Sequence, residues 1–197
     1  MEALFNTLID TFIDNHVGIA PHFLSKELAG HLRGNLERLY AKRQLKQAGT
    51  GNEVHAAINP SVRGDQIYWL DRAHDDPHEN RFFLLMDAFV AHLNRTCYTG
   101  ITGYEFHYTL YEEGRFYKKH VDQFRNHEGR KYSMILYLNV DWAEQDGGEL
   151  CIYHADHLQH ISPQDGKGVF FDSAALAHEV LPTQKARMSI TGWLKKG

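Results

Sequence analysis

Apolar positions in the first half of the chain recur at helical spacing, and from Tyr104 onward they alternate. Near Ala3–Asn15, the residues Leu4, Phe5, Leu8, Phe12 and Ile13 predict an opening helix. Ser25 reads as an N-cap, and Glu27 and Leu28 open a second helix that runs towards Gln47. Its apolar side is marked by Leu28, Leu32, Leu36, Leu39 and Leu45. A third helix is predicted from about Glu79 to Arg95, on the spacing of Phe82, Leu85, Met86, Phe89, Val90 and Leu93. Beyond Tyr104 the pattern predicts eight short strands, "YEFHYTLY", "FYKKHVD", "KYSMILYLNV", "ELCIYH", "LQHI", "GVFF", "HEVLP" and "ARMSITGWL". Turn signals such as Asp146–Gly147–Gly148 and Pro163–Gln164–Asp165–Gly166 separate them. Helices followed by many short strands predict a mainly β fold with N-terminal helices, a jelly roll with the helices packed on its outside. No repeat or linker splits the chain, so residues 1–197 form one expected domain. Residues 1–98 would be mostly helical support, with an "RGD" loop near 61–70, and 104–194 the β core.

Composition narrows the class. An apolar fraction of 43% with 23% charged residues is that of a soluble globular chain. A net charge of −4 gives no basic field, which argues against nucleic acid as a partner. There is no apolar run long enough to cross a bilayer, so no membrane role is expected. The start, "MEALFNTLIDTFIDNH", has no cationic leader and carries Asp10 and Asp14, so it does not read as a signal peptide. Cys97 and Cys151 are read as buried free thiols, and the expected compartment is the reducing cytoplasm.

Candidate chemistry begins with histidine and aspartate two residues apart. On a strand such a pair points to one side and can converge on one ion. With 14 histidines and 13 aspartates, about one such pair is expected by chance, and three occur: His74/Asp76, His120/Asp122 and His154/Asp156. The first lies in "RAHDDPHEN" and reads as a solvated loop. The second part of the chain offers "YHADHLQH", where His154, His157 and His160 can bind a metal adventitiously. His120 and Asp122 instead close a strand preceded by Tyr111, Gly114 and Tyr117. A metal-binding face of three protein donors needs a ligand from another strand, and His178 in "HEVLP" is the candidate. In "ARMSITGWL", Arg187, Ser189, Thr191 and Trp193 share one face, and Met188, Ile190 and Leu194 the other. The first face suits a pocket for a carboxylate, because arginine offers a planar two-point fork and serine a further donor. It equally suits the solvated face of an edge strand, and the residues alone leave both readings open.

Taken in order, Tyr111-x-x-Gly114-x-x-Tyr117-x-x-His120-x-Asp122, then His178, then Arg187-x-Ser189, resembles the iron(II)- and 2-oxoglutarate-dependent dioxygenases. "RGDQIYWL", "YLNVDW", "GGELCIY" and "HEVLPTQKARMSITGW" make the chain most similar to their prolyl-hydroxylase branch, including the hydroxylases of hypoxia-inducible factor and their bacterial relatives. The resemblance covers about residues 60 to 194. It implies a double-stranded β-helix with His120, Asp122 and His178 as the facial triad on Fe(II). It further implies that 2-oxoglutarate chelates the metal and that its far carboxylate meets Arg187 and the Tyr137 hydroxyl. Ser189 and Tyr111 would line the same pocket, with Leu150 and Trp193 as apolar walls. O2 would be consumed, succinate and CO2 released, and ascorbate would serve as an accessory. The substrate would be a proline-containing protein or peptide, with a translation factor as one candidate.

Two features depart from the animal enzymes. The sequence stops soon after Trp193, without their extended C-terminal region, and "FFDSAALAH" has Asp172 and alanines where they carry tryptophan and arginines. Both count against a hypoxia-factor substrate. "SVRGDQIYWL" is read as a segment over the pocket mouth, in which Arg63 contacts substrate backbone and Asp65 pairs with Arg130 on closing. Alternatives are the same chemistry on a free amino acid or a non-prolyl side chain, a non-catalytic cupin-like metal-binding module, and zinc-dependent hydrolysis.

Overall fold

A short amphipathic helix opens the chain, and its end is set by backbone geometry. In the computed structural model, which describes residues 1–49, 58–122 and 129–197, α1 spans Glu2–Asn15 and stops at His16, whose left-handed φ of 61° returns its N–H to the Phe12 carbonyl. The chain then enters β1, Val17–Ala20. Gly18 permits this tight return, because a Cβ there would lie 2.4 Å from the Leu8 carbonyl oxygen. α2, Lys26–Ala41, starts on the expected cap, with Ser25 Oγ accepting from the Leu28 N–H. α3 is Pro77–Cys97.

Three strands lie outside the eight that the sequence predicted. Besides β1, these are β2 (Lys46–Gln47) and β3 (Gln66–Trp69). The second helix therefore ends well before Gln47. Arg43 adopts a left-handed φ of 56°, which breaks the helix, and Lys46 and Gln47 pair with Ile67 and Gln66 instead. The segment 61–70 is likewise no simple loop, since its second half is β3, which pairs with residues 107–110. Asp76 is not in a solvated loop: it caps α3, accepting from the His78 and Glu79 N–H groups at 2.9 and 3.0 Å. Cys97 is exposed rather than buried, while Cys151 is buried as expected.

All eight strands of the second half are present: β4 (Gly103–Tyr111), β5 (Tyr117–His120), β6 (Arg130–Tyr137), β7 (Leu150–Tyr153), β8 (Leu158–Ile161), β9 (Gly168–Asp172), β10 (Ala177–Val180) and β11 (Arg187–Lys195). They form two antiparallel sheets, ordered β1-β9-β6-β11-β4-β3-β2 and β5-β10-β7-β8. The helices cover the outer face of the larger sheet. Phe5, Leu8, Leu32, Leu36, Phe82, Met86 and Phe89 pack there against Phe106, Leu136, Phe170, Ile190 and Leu194. Each such buried side chain contributes roughly 1.5–3 kcal/mol. The inner face meets the smaller sheet through Ile135, Tyr137, Leu150, Ile152, Val169, Phe171 and Val180. Strand alternation thus sends Ile190 and Leu194 to the helices, and places Arg187, Ser189 and Trp193, all buried, on the opposite face of β11.

Candidate active site

The chemistry-bearing residues gather in a cleft lined by strands of both sheets. His120 closes β5 and faces His178 of β10 across the ladder, their rings 4.3 Å apart. Asp122 follows two residues later. The ligand atoms of His120, Asp122 and His178 all lie within 4.8 Å of one another, the one such group among the described residues. Each imidazole is oriented through its Nδ1, which donates to a main-chain carbonyl, Lys118 O at 2.8 Å for His120 and Leu176 O at 3.2 Å for His178. A carbonyl can only accept, so the proton sits on Nδ1 and the Nε2 lone pair is free. Both Nε2 atoms point at Asp122 Oδ1, at 3.4 and 3.6 Å. The other carboxylate oxygen is occupied: Asp122 Oδ2 accepts from Ser133 Oγ at 2.6 Å and from Trp193 Nε1 at 3.0 Å.

The electrostatics match this layout. Burial alone would raise the Asp122 carboxyl, but the His178 and His120 imidazoles and the Ser133 hydroxyl outweigh it and hold it well below the usual carboxylate range. Burial pushes His178 down, against the pull of Asp122. A carboxylate and neutral imidazoles are the forms a divalent cation needs. Two nitrogens and one oxygen on one side, with space opposite, fit an ion such as Fe(II) that keeps sites for other ligands.

A second polar group lies deeper. Arg187 is 1% exposed, and its Nε donates to the Gly148 carbonyl at 2.7 Å. Its Nη2 and the Tyr137 hydroxyl are both buried, with no partner among the described residues. The guanidinium carbon lies 5.2 Å from the Tyr111 ring centre and 5.1 Å from that of Tyr137. Burial raises both phenols, with Arg187 opposing, so both stay protonated donors at neutral pH. An unmatched N–H of a buried cation together with an unmatched buried hydroxyl is a costly arrangement unless an anion with two acceptor oxygens completes it. The donor set therefore fits the far carboxylate of a 2-oxo diacid.

Arg187, Tyr111, Leu150 and Trp193 line one cleft with the three metal-donor residues. Ser189 and Tyr137 are buried and lie on adjacent strands opposite one another. Trp193, expected as an apolar wall, also orients Asp122 through its indole N–H. Arg63 and Asp65 line the cleft as well, but Asp65 does not pair with Arg130. Asp65 is fully buried and binds Arg63 through both oxygens, at 2.6 and 2.8 Å. Arg130 instead pairs with Glu105 and lies over the Trp193 ring, 3.5 Å from its centre. His154, His157 and His160 bond to Gln159, Asp156 and Glu149 respectively and do not converge on a common point.

Sequence reasoning missed the roles of Ser133, Gly148 and His107, whereas Thr191 lies on the β11 face it had singled out. Alternation in "KYSMILYLNV" puts Ser133 on the Tyr137 face of β6, but its bond to Asp122 arises only in the fold. Gly148 was read as a turn. Its φ of +64° fits that reading, yet a Cβ there would also come within 3.0 Å of Arg187 Cδ. His107 and Thr191 lie opposite each other on β4 and β11 and line the cleft.

Comparison with known proteins agrees with this geometry. Residues 106–195 match the 2OG-Fe(II) oxygenase superfamily model. A crystal structure of a Pseudomonas putida prolyl-4-hydroxylase superposes with a TM-score of 0.89 at 31% identity, covering 98% of this chain and 100% of that one. A Trichoplax adhaerens prolyl hydroxylase, in complex with a hypoxia inducible factor oxygen degradation domain peptide fragment, gives 0.87 at 25% identity, over 99% of this chain and 90% of that one. Human Egl nine homolog 1 is 33% identical over 154 residues, 67% of this chain and 33% of its own length. The chain spans 14% to 41% of the length of these curated relatives. This chain belongs to the 2OG-Fe(II) oxygenase superfamily and is prolyl hydroxylase-like. Its two antiparallel sheets with three helices are the double-stranded β-helix of that family.

Proposed function

We propose that this chain hydroxylates a prolyl residue within a protein or peptide, consuming O2 and 2-oxoglutarate and releasing succinate and CO2. The observation that carries the reading is a three-donor metal face in one cleft with a buried cation, whose own Nη2 and the neighbouring Tyr137 hydroxyl are unsatisfied donors. Fe(II) with 2-oxoglutarate supplies the O2-dependent oxidising chemistry when bound.

The chain's own residues do the holding. His120 and His178 present Nε2 lone pairs, kept in that tautomer by Lys118 O and Leu176 O. Ser133 and Trp193 fix the Asp122 carboxylate so that only Oδ1 faces the imidazoles. Arg187, with its Nε anchored on Gly148, would grip the diacid's far carboxylate through Nη2 while Tyr137 donates a second hydrogen bond. Tyr111 and Leu150 close the pocket walls and exclude water from the reacting centre. Ser189 supports Tyr137 from the neighbouring strand. Ascorbate acts as an accessory reductant.

The prolyl assignment draws on the P. putida prolyl-4-hydroxylase, which matches end to end. A cytoplasmic protein such as a translation factor is the candidate substrate class. No helix among the described residues is long and apolar enough to cross a membrane. The test is mass spectrometry of host proteins from cells with and without the gene. The reading predicts a one-oxygen mass increase on a proline of at least one protein, present only with the enzyme. Succinate production that responds to free proline but to no peptide would favour a free amino acid instead, and modification of a different residue type would favour a non-prolyl side chain.

A further inference from the structure

Two of the three metal-donor side chains are held from within the fold. His178 is 4% exposed and lies edge-on to Phe171 at 4.8 Å, and Asp122 is fixed by Ser133 and Trp193. His120 is held differently. It ends β5, a four-residue strand that pairs with β10 alone in its sheet, and that ladder shifts register between His178 and Val180. Such a strand is the least tethered of the three supports.

The missing support comes from the "RGD" segment. Val62 O accepts from the Lys118 N–H and Gly64 N–H donates to Phe116 O, both at 2.9 Å, so residues 62–64 run along the free edge of β5. The Tyr117 ring lies parallel to the His120 imidazole, with centroids 3.6 Å apart and planes 16° from parallel. The Arg63 guanidinium carbon sits 4.7 Å from the centre of that tyrosine ring. Arg63 itself is fixed by the two-point grip of the buried Asp65 and by a 3.3 Å bond to Gly49 O. A buried ion pair seldom returns more than its desolvation costs, and ordering a neighbouring group is one use that offsets this. Here the group it orders is an aromatic ring laid flat on a metal donor.

We propose that Asp65, Arg63 and Tyr117 form a positioning chain for His120, fixing the imidazole plane so that Nε2 stays aimed at the ion and thereby setting metal affinity. The proposal rests on the metal-site reading but not on the identity of the substrate. Loss of groups that orient a metal ligand costs roughly 10–100-fold in affinity, which is the size of effect expected.

The test is a Co(II) titration of the metal-free chain, followed by visible absorption, with thermal unfolding of the metal-free protein measured beside it. Tyr117→Leu should raise the Co(II) Kd at least about tenfold while shifting metal-free Tm little. Tyr117→Phe keeps the stacked ring and should bind as wild type does. Replacing both ion-pair partners together, Arg63→Met with Asp65→Leu, avoids an orphaned charge and should reproduce most of the Tyr117→Leu loss. Adding Tyr117→Leu to that pair should cost little more, because the pair acts through the ring. Folded Tyr117→Leu and Arg63→Met/Asp65→Leu proteins that bind Co(II) within about twofold of wild type would overturn the proposal. Fully additive losses would also overturn it, by showing two independent effects. A wild-type chain that binds no Co(II) fails visibly at the first titration and removes the metal-site reading together with the proposal.

Discussion

Replacing Arg187 by methionine separates binding from folding. The side chain is 1% exposed, keeps one hydrogen bond, from Nε to Gly148 O, and leaves Nη2 and the neighbouring Tyr137 hydroxyl without partners. In the ligand-free protein the substitution gives up one buried hydrogen bond and leaves Gly148 O unmatched, a loss of about 1–3 kcal/mol. It also removes a buried charge with no carboxylate beside it among its bonded partners, which offsets much of that loss. The net change in unfolding free energy should stay within about 2 kcal/mol. Co-substrate binding should respond quite differently. A charge-assisted hydrogen bond to a carboxylate is worth about 1.5–3 kcal/mol, so losing the Arg187 bond while Tyr137 keeps its own should weaken 2-oxoglutarate by about that amount, or roughly 12- to 150-fold in Kd. The assay is calorimetric titration of 2-oxoglutarate into Mn(II)-loaded protein, with urea unfolding of the metal-free forms. A variant that binds 2-oxoglutarate within about threefold of wild type refutes the carboxylate assignment, and a stability loss above about 4 kcal/mol shows Arg187 to be structural.

Three further outcomes follow from the same geometry. Gly148→Ala places a Cβ 3.0 Å from Arg187 Cδ and Thr183 Oγ1 at a φ of +64°, so it should destabilise the fold by about 1–2 kcal/mol and weaken 2-oxoglutarate binding, both read in the assays above. Ser133→Ala removes the 2.6 Å bond that turns Asp122 Oδ2 away from the imidazoles, and should raise the Mn(II) Kd by about tenfold in a paramagnetic-resonance titration. His107 is pushed down to about 4, chiefly by burial and then by Arg63, so its folded pKa lies below its unfolded one. The unfolded chain then takes up the proton first, and stability held above about pH 6.5 is lost as pH falls towards 4, by up to about 1.4 kcal/mol per pH unit. Urea unfolding at pH 7 and pH 5 should show this loss in wild type and less of it in His107→Met.

Much of this was legible in one dimension because strand alternation is local. The alternation in "ARMSITGWL" alone placed Arg187, Ser189 and Trp193 opposite Ile190 and Leu194, as the sheet does. The triad was legible only as a spacing, His120-x-Asp122, plus a distant His178 chosen for its strand-like surroundings. What failed was non-local. Leu45, Lys46 and Gln47 continue an acceptable helical pattern, and nothing nearby announces that Ile67 and Gln66 will take their backbone bonds. Asp65 was paired with Arg130 in sequence, but the fold gives it Arg63, while Glu105 of β4 takes Arg130 of β6 across the intervening β11. His74–Asp76 looked like solvent-facing polar sequence because capping of α3 and the 2.8 Å contact between His74 and Glu79 appear only once the helix is folded.

The central claim is that His120, Asp122 and His178 hold Fe(II) while Arg187 anchors 2-oxoglutarate in the same cleft. Adding both to the protein without oxygen should give a visible charge-transfer band that needs metal and co-substrate together and is lost in His178→Ala. No such band, with tight stoichiometric zinc in its place, would contradict the account.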